Sequence, residues 1–238
     1  MTKQIPWLRV SLEGIVIVGS ILLAFTLDAW WQERATRDWE FDQLHALRAE
    51  FAGNGELLDD AVGRHDQKIQ DVAQILKFLQ AARPGDKKIY SDRVLSSLVA
   101  WNTSDISTGT LNALLASGGL GDIRDDRLRS ELAAWPTVVA DAQEDESLAR
   151  DFVEMVLAPA LFGMGVLPAA YAAREGPGGD DFVRSPPDAK TEIEFDPTLR
   201  DVAAVRLLHL RLASASMAAL GQRTTAMVAL IDEAIGGR

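Results

Sequence analysis

The chain has 238 residues, of which 47% are hydrophobic and 25% charged, so it can bury a core as one long domain or two small ones. This composition excludes a disordered or fibrous protein. A formal net charge of −11 argues against a sequence-independent nucleic-acid binder, which needs cations to displace counterions from phosphates. The chain has no cysteine, which excludes disulfides and thiol chemistry, and three scattered histidines do not predict a metal site.

An uncharged run, GIVIVGSILLAFTL, occupies residues 14–27. Fourteen residues are few for a membrane span, because a hydrocarbon core of ~30 Å needs ~20 helical residues. Trp7 precedes the run and Trp30 and Trp31 follow it, and on a helix these positions lie roughly 35 Å apart, about the spacing of the two interfacial aromatic belts. We therefore predict a transmembrane helix over residues 14–31, with a cleaved signal sequence and a soluble core helix as the alternatives.

Charge near the run predicts its orientation. The tail of residues 1–13 carries the α-amino group, Lys3 and Arg9 against Glu13, so the positive-inside rule places it in the cytoplasm. Residues 32–238 then form an exoplasmic domain.

One face of the predicted span carries small and polar residues, namely Ser20, Ala24 and Asp28. Such faces allow membrane helices to approach closely, which predicts a contact with a second copy or with a partner subunit. The alternative is that the small residues are ordinary filler and the acid marks the membrane boundary.

Apolar residues recur at threes and fours over residues 34–82, which predicts a long amphipathic helix leaving the membrane. Gly53 and Gly55 are expected to bend or interrupt it. Asn54 and His65 lie on its apolar face, where hydrogen-bonded interior groups are the first interpretation and a ligand-binding pair the second.

A short helix over residues 91–101 and a second over 109–117 are predicted next, the second capped by Thr108. A glycine-bounded turn with hydroxyl groups can present its backbone to a partner, although plain helix capping explains the same residues. The recognition turn proposed on this pattern comprises Thr108, Thr110, Ser117, Gly118 and Gly119.

Asp125 is predicted to cap a longer helix that reaches Val156, with a kink at Pro136. The acidic cluster at residues 144–146 is expected to be a solvated face, the alternative being contact with a cation or a basic partner.

Residues 155–173 carry no charge, and we expect a buried helix that breaks near Gly163, with a second membrane span as the alternative. An irregular loop is predicted over residues 175–195, too unlike an EF-hand to suggest calcium. Asp196 then caps a helix of about 58 Å that ends at a Gly-Gly pair. No segment alternates like a strand, so the predicted fold is an all-α helical bundle.

Motifs of nucleotide-binding and hydrolytic enzymes, including GxGxxG, GxxxxGK[ST], GxSxG and HExxH, are absent. The sequence predicts no catalytic residue, no cofactor and no metal site.

Two segments, LLAFTLDAWWQER and TGTLNALLASGGLGDIRDDRLRSELAAW, resemble a bacterial family of single-pass membrane proteins whose activity is not known. The resemblance covers most of the first 135 residues. It implies the bacterial inner membrane, one N-terminal span and a helical periplasmic domain, and it supplies no catalytic residues.

These observations favour a membrane-anchored periplasmic accessory or scaffold protein that contacts a protein partner or a second copy of itself. The first alternative is a sensor domain that binds a small molecule and acts through a partner membrane protein. An enzyme with a site assembled from dispersed acids and histidines is the remaining hypothesis.

Overall fold

A computed structural model describes residues 7–101, 103–173, 186 and 188–237, with side chains from residue 12 onward. The α-helices are α1 (Trp7–Ala81), α2 (Asp92–Val99), α3 (Gly109–Ser117), α4 (Asp126–Phe152), α5 (Ala158–Ala160), α6 (Val166–Ala172) and α7 (Pro197–Gly236). The other described elements are β1 (Lys87–Ser91), β2 (Lys190–Glu194), a 3-10 helix (Gly119–Asp122) and a π-helical turn (Val153–Leu157). The all-α class is confirmed.

Helix α1 has 75 residues and is about 110 Å long. The predicted interruption at Gly53 and Gly55 is wrong, because the helix continues through both positions. Each glycine costs only ~1 kcal/mol relative to alanine, whereas the neighbouring Phe51 and Leu58 are fully buried, and burial of one such side chain contributes about 1.5–3 kcal/mol. Tertiary packing therefore holds this part of the helix together.

Helix α7 packs antiparallel against α1. Arg48 binds Asp232 near the C-terminal end of α7. Farther along α1, the Ser214 hydroxyl of α7 donates a hydrogen bond of 3.4 Å to Asp66. Helix α4 also packs against α7, where Ser216 donates to Asp145. The three long helices thus form the frame of the bundle.

The core consists of two clusters stacked along α1. The cluster nearer the N-terminal segment includes Phe51 and Trp135, whose ring centroids lie 4.8 Å apart in an edge-to-face contact. The farther cluster includes Leu79 and Tyr90, together with the ends of α4 and α7. Burial along the whole length of α1 after residue 39 makes this helix the spine of the domain.

The expectation of no strand is wrong, and so is the predicted loop at residues 190–194. Strands β1 and β2 pair antiparallel, with Lys87 opposite Glu194. Only Tyr90 and Ile193 are buried on the inner face, so each five-residue strand offers too little alternation to be recognised in the sequence. Residues 174–185 and 187 of the predicted loop lie outside the described residues.

The helix over residues 155–173 breaks near Gly163, as predicted, but it is only partly buried, since Met155 and Phe162 are exposed, and the chain forms helix again in α6 instead of continuing as a loop. The chain turns between α5 and α6, where Gly163 and Gly165 have φ of 83° and 73°, values that favour glycine. Leu157, Leu161 and Leu167 are buried in the core on either side of the break.

Candidate functional site

The N-terminal part of α1 is exposed throughout. Every described side chain from residue 12 to residue 38 is exposed, including Trp30 and Trp31, whose ring centroids lie 5.5 Å apart. Trp7 lies within the helix, but its side chain is outside the described residues. Helices α1 and α7 are both long and apolar enough to cross a membrane, and the apolar window is 0% buried in α1 and 39% buried in α7.

The predicted contact face of the span satisfies its own polar groups. The Ser20 hydroxyl donates to the Val16 carbonyl at 2.7 Å, and Asp28 accepts a hydrogen bond from Gln32 at 2.9 Å. Ala24 is exposed between them. These local bonds remove any need for a polar partner at Ser20, so the predicted helix–helix contact stays a prediction.

A second face of the span contains a shallow notch that includes Gly14, Val18 and Gly19. At 100° per residue this notch lies on nearly the opposite side of the helix from Ser20 and Ala24. The span therefore has two faces along which another helix could approach closely.

The predicted recognition turn is used for packing. Gly118 ends α3 with φ of 75°, and Ser117 donates its hydroxyl to the carbonyl of Leu114. Gly119 is buried, and a Cβ built on it would lie 2.5 Å from Cη2 of Trp39. Within this turn only Ser117 and Gly118 remain exposed.

Thr108 occupies the N-cap position of α3 but makes no capping hydrogen bond, so its predicted capping role is wrong. Glu50 on α1 takes that role, accepting from the amide of Thr110 at 2.6 Å and of Leu111 at 3.2 Å. A carboxylate from a distant helix satisfies the free amides that a local threonine was expected to satisfy. Thr108 and Thr110 are half-buried at this junction.

Because Gly119 lies directly under the Trp39 ring, we expect Gly119→Ala to destabilise the protein by about 1–3 kcal/mol through overpacking. Gly121→Ala is the matched control, since a Cβ there meets nothing within 4 Å. Urea unfolding of the detergent-solubilised protein measures both changes. Equal stability of the two variants would show that the close approach of Trp39 to Gly119 carries no energetic weight.

A cavity of about 790 Å³ lies where α1 enters the domain. Trp30 lines its outer end, and Glu33, Glu40 and Arg124 line its wall. The Arg124 guanidinium lies 3.5 Å from Glu33 and 3.7 Å from Glu40, while Glu40 also accepts the backbone amide of Arg124 at 2.8 Å. These bonds fix the segment before α4 to α1 close to the apolar segment.

Four side chains contain buried polar atoms without a hydrogen-bond partner in the described part of the chain: His65, Ser104, Glu146 and Arg206. Each unsatisfied atom costs about 1–3 kcal/mol. Asn54 is hydrogen-bonded to Ser107, as predicted, but both ring nitrogens of His65 lack a partner, so the expectation that its polar atoms are satisfied is wrong.

Burial perturbs the charged members of this set. Burial lowers the pKa of His65 to about 4, aided by the positive charges of Lys68 and Arg206. Burial also lowers the pKa of Arg206 to about 10, and it raises the pKa of Glu146. Arg206 donates to the carbonyls of Ala100 and Ala149.

The solvated acidic face predicted at residues 144–146 is only partly correct. Glu144 is exposed, whereas Asp145 accepts a hydrogen bond from Ser216 and Glu146 is half-buried.

The sequence analysis missed Arg206, although it lies on the apolar face of the last helix at the spacing of Ala203 and Leu210. A charged residue at an apolar position of the helical pattern was the signal that could have identified it. Among the described residues, no group of three or more histidines or acids is placed to hold a metal ion.

The fold and its exposed N-terminal helix define an all-α protein with a segment long and apolar enough to cross a membrane. No family model, curated protein or solved structure matches the chain. The resemblance to a bacterial single-pass family therefore stays a prediction.

Proposed function

We propose that the chain is a single-pass protein of the bacterial inner membrane whose periplasmic helical domain acts as an accessory or scaffold for a protein partner in the same membrane. In this proposal residues 14–31 span the bilayer and Trp30 and Trp31 lie at its periplasmic interface.

The observation that carries the proposal is the continuity of α1 from the exposed apolar segment into the core. The helix has no flexible linker between Asp28 and Glu40, and the two lie about 18 Å apart along the axis. Glu40 is the first buried residue among the described side chains, which begin at residue 12. A domain attached this rigidly keeps a fixed position relative to the span, which suits a partner that lies in or on the same membrane. A protein that captures distant soluble partners would gain from a flexible tether instead.

The junction adds support. Arg124 and Glu40 join the segment before α4 to α1, so the base of the domain is fixed relative to the span. Glu233 and Ala234 of α7, and Gly237 just after it, line the same cavity, so the C-terminal end of α7 lies beside the point where α1 enters the domain. A partner helix that packs on the span would therefore also meet a rigid protein surface.

The topology has a direct test. Alkaline phosphatase fused after residue 238 is expected to be active, and a cytoplasmic-only fluorescent reporter at the same position is expected to be dark, because the domain follows a single outward span. The matched control carries arginines in place of Leu27 and Asp28, which alters the charge balance across the span. Fluorescence without phosphatase activity in the unmodified chain would contradict the periplasmic assignment.

The scaffold role is tested by extracting the full-length protein from its native membrane in mild detergent and identifying its companions by mass spectrometry. We expect a stoichiometric membrane protein. A seven-residue Gly-Ser insertion after Thr36 keeps the span and the domain but removes their rigid connection, so it is expected to reduce recovery of that companion. An unaccompanied monomer in both samples would contradict the proposal.

A further inference from the structure

Helix α7 has an exposed apolar face along its outer side. The positions that recur at alternating intervals of four and three residues from Val205 to Ala229 are all exposed, and all but Gln222 are valine, leucine or alanine. Leu208 and Leu212 are the largest of these side chains and are 55% and 47% exposed. Because a surface helix normally turns polar residues outward, an outer face of this composition marks a surface that another element covers.

The spacing of the face indicates the kind of element that fits it. Alternation of three and four residues is the heptad pattern of a coiled coil, in which two helices pack side by side along a narrow seam. From Val205 to Ala229 the face extends about 36 Å, or about three heptads. The described part of the chain places no helix over it, since every position of the pattern is exposed. The face therefore fits a helix of another chain.

The lipid bilayer is far from this face in the orientation proposed above. Asp66 accepts the Ser214 hydroxyl at 3.4 Å, so the part of the face around Leu212 lies near the level of Asp66 on α1. Asp66 is separated from Trp31 by continuous helix with a length of about 50 Å. The face also runs alongside α1, whose N-terminal part is the proposed span, so it does not lie in the plane of the membrane surface.

Charge favours a second copy of the chain as the occupant. Between Val202 and Ile231 α7 contains no aspartate or glutamate, although the whole chain has a net charge of −11. Arg211 flanks the face on one edge, is exposed, and forms no ion pair with a described residue. On the opposite edge lies α4, where Asp145 accepts a hydrogen bond from Ser216. Around this level the surface has a positive edge and a negative edge, so two copies are complementary to each other.

We propose that this face of α7 packs against the same face of a second copy of the chain, forming a parallel coiled coil between two chains anchored in one membrane. The inference goes beyond the scaffold role but rests on the single outward span proposed with it, because two copies with the same topology are related by an axis perpendicular to the membrane. The continuous helix α1 holds both domains at the same height, so each position of the face meets the same position of the other copy.

The two-fold rotation also brings opposite edges of the two faces together. In a parallel coiled coil, Arg211 on one edge faces Ser216 on the opposite edge of the second copy. Asp145 of that copy is hydrogen-bonded to Ser216 and is therefore within reach of the Arg211 guanidinium. A solvent-exposed ion pair of this kind adds little affinity, but it opposes other registers and orientations of the two helices.

The test is disulfide cross-linking, for which the chain is well suited because it contains no cysteine. Leu208→Cys, Leu212→Cys and Ala219→Cys are made singly in the full-length protein, and the membranes that contain it are oxidised with copper phenanthroline. We expect each variant to give a disulfide-linked dimer, since equivalent positions of a parallel coiled coil lie close together. Gln70→Cys, exposed on α1 near the level of Leu212, is the matched control and is expected to give no dimer.

A second variant measures how strongly the face holds the two copies together. The unmodified protein in mild detergent is expected to have the mass of two chains, and Leu212→Asp is expected to weaken this dimer at least about tenfold because it places a carboxylate against its own copy in the seam. Gln70→Asp is expected to leave the dimer intact. Circular dichroism of the variants checks that the helices are retained, as expected for substitutions at exposed positions.

Several outcomes would overturn the proposal. Cross-linking at only one of the three seam positions would indicate an antiparallel pair, and cross-linking to a protein of another mass would indicate a different partner. Absence of a cross-linked dimer in all three variants, or a dimer that Leu212→Asp leaves intact, would also refute the pairing. The phosphatase fusion separates this failure from that of the proposed function: active phosphatase without any cross-link refutes the pairing alone, whereas inactive phosphatase refutes the topology on which the pairing rests.

Discussion

Arg206→Ala is expected to destabilise the protein by about 2–4 kcal/mol, measured by urea unfolding in mild detergent. Arg206 is fully buried in α7 and donates to the carbonyls of Ala100 and Ala149. Alanine removes both donors and leaves a cavity where the rest of the arginine side chain beyond Cβ had packed. Each unsatisfied carbonyl costs about 1–3 kcal/mol, and large-to-alanine changes in cores cost about 2–5 kcal/mol.

An opposing effect limits this loss. No carboxylate lies within ion-pair distance of Arg206 among the described residues, and burial lowers its pKa to about 10. Removing the buried charge therefore also removes its desolvation cost in the folded state, about 3 kcal/mol. The predicted net effect is smaller than the sum of the lost hydrogen bonds and packing for this reason.

Two variants separate charge from volume. Arg206→Met keeps most of the side-chain volume without the charge, so its stability is expected to lie within about 1 kcal/mol of the unmodified protein. Arg211→Ala, exposed on the same helix, is expected to change stability by less than about 0.5 kcal/mol. If methionine proved as damaging as alanine, the two carbonyl hydrogen bonds rather than packing would dominate.

Helix periodicity predicted the fold class and the long helices because they bury one continuous apolar face. Asp125 and Asp196 were identified as caps, since each binds backbone amides within three residues of itself. The strands escaped detection because their partners lie about a hundred residues apart and only Tyr90 and Ile193 are buried. Pairing of this kind is determined by tertiary contact and leaves little local signal.

The candidate sites were harder to predict for a related reason. Glu50 caps α3 from another helix, and Gly119 is required by Trp39 eighty residues earlier in the chain. In the sequence, the turn at Gly119 and the cap of α3 each seemed to depend only on neighbouring residues. Ser104 and Glu146 are separated by 42 residues, so the hydrogen bond that Glu146 accepts from the Ser104 amide becomes visible only after the chain before α3 is folded against α4.

His65 gives the protein a pH-dependent loss of stability below neutral pH. Burial, followed by the charges of Lys68 and Arg206, lowers its pKa in the folded state to about 4, against 6.5 in the unfolded chain. Between these values the unfolded state binds a proton that the folded state excludes, so acid favours unfolding. The contribution of the neutral ring to the free energy of unfolding is fully present above pH ~6.5 and decreases as the pH falls towards ~4.

The expected loss follows from the size of the shift. A difference of about 2.5 pKa units at 1.36 kcal/mol each amounts to about 3 kcal/mol. Other groups also titrate in this range, including Glu146, whose raised pKa acts in the opposite direction. Comparison with a variant that lacks the imidazole cancels their contributions, so the difference between the two proteins isolates His65.

We therefore expect His65→Leu to gain about 3 kcal/mol relative to the unmodified protein when urea unfolding is compared at about pH 7.5 and about pH 4. His65→Gln should reproduce the same gain although its absolute stability differs, because neither replacement titrates. If the free energy of unfolding changed with pH in the same way in all three proteins, the imidazole would have a hydrogen-bond partner in solution, and the prediction would be wrong. Both ring nitrogens of His65 are buried without a hydrogen-bond partner, so His65→Leu is also expected to lower the free energy of unfolding only slightly at neutral pH. The histidine then contributes little to stability that leucine would not.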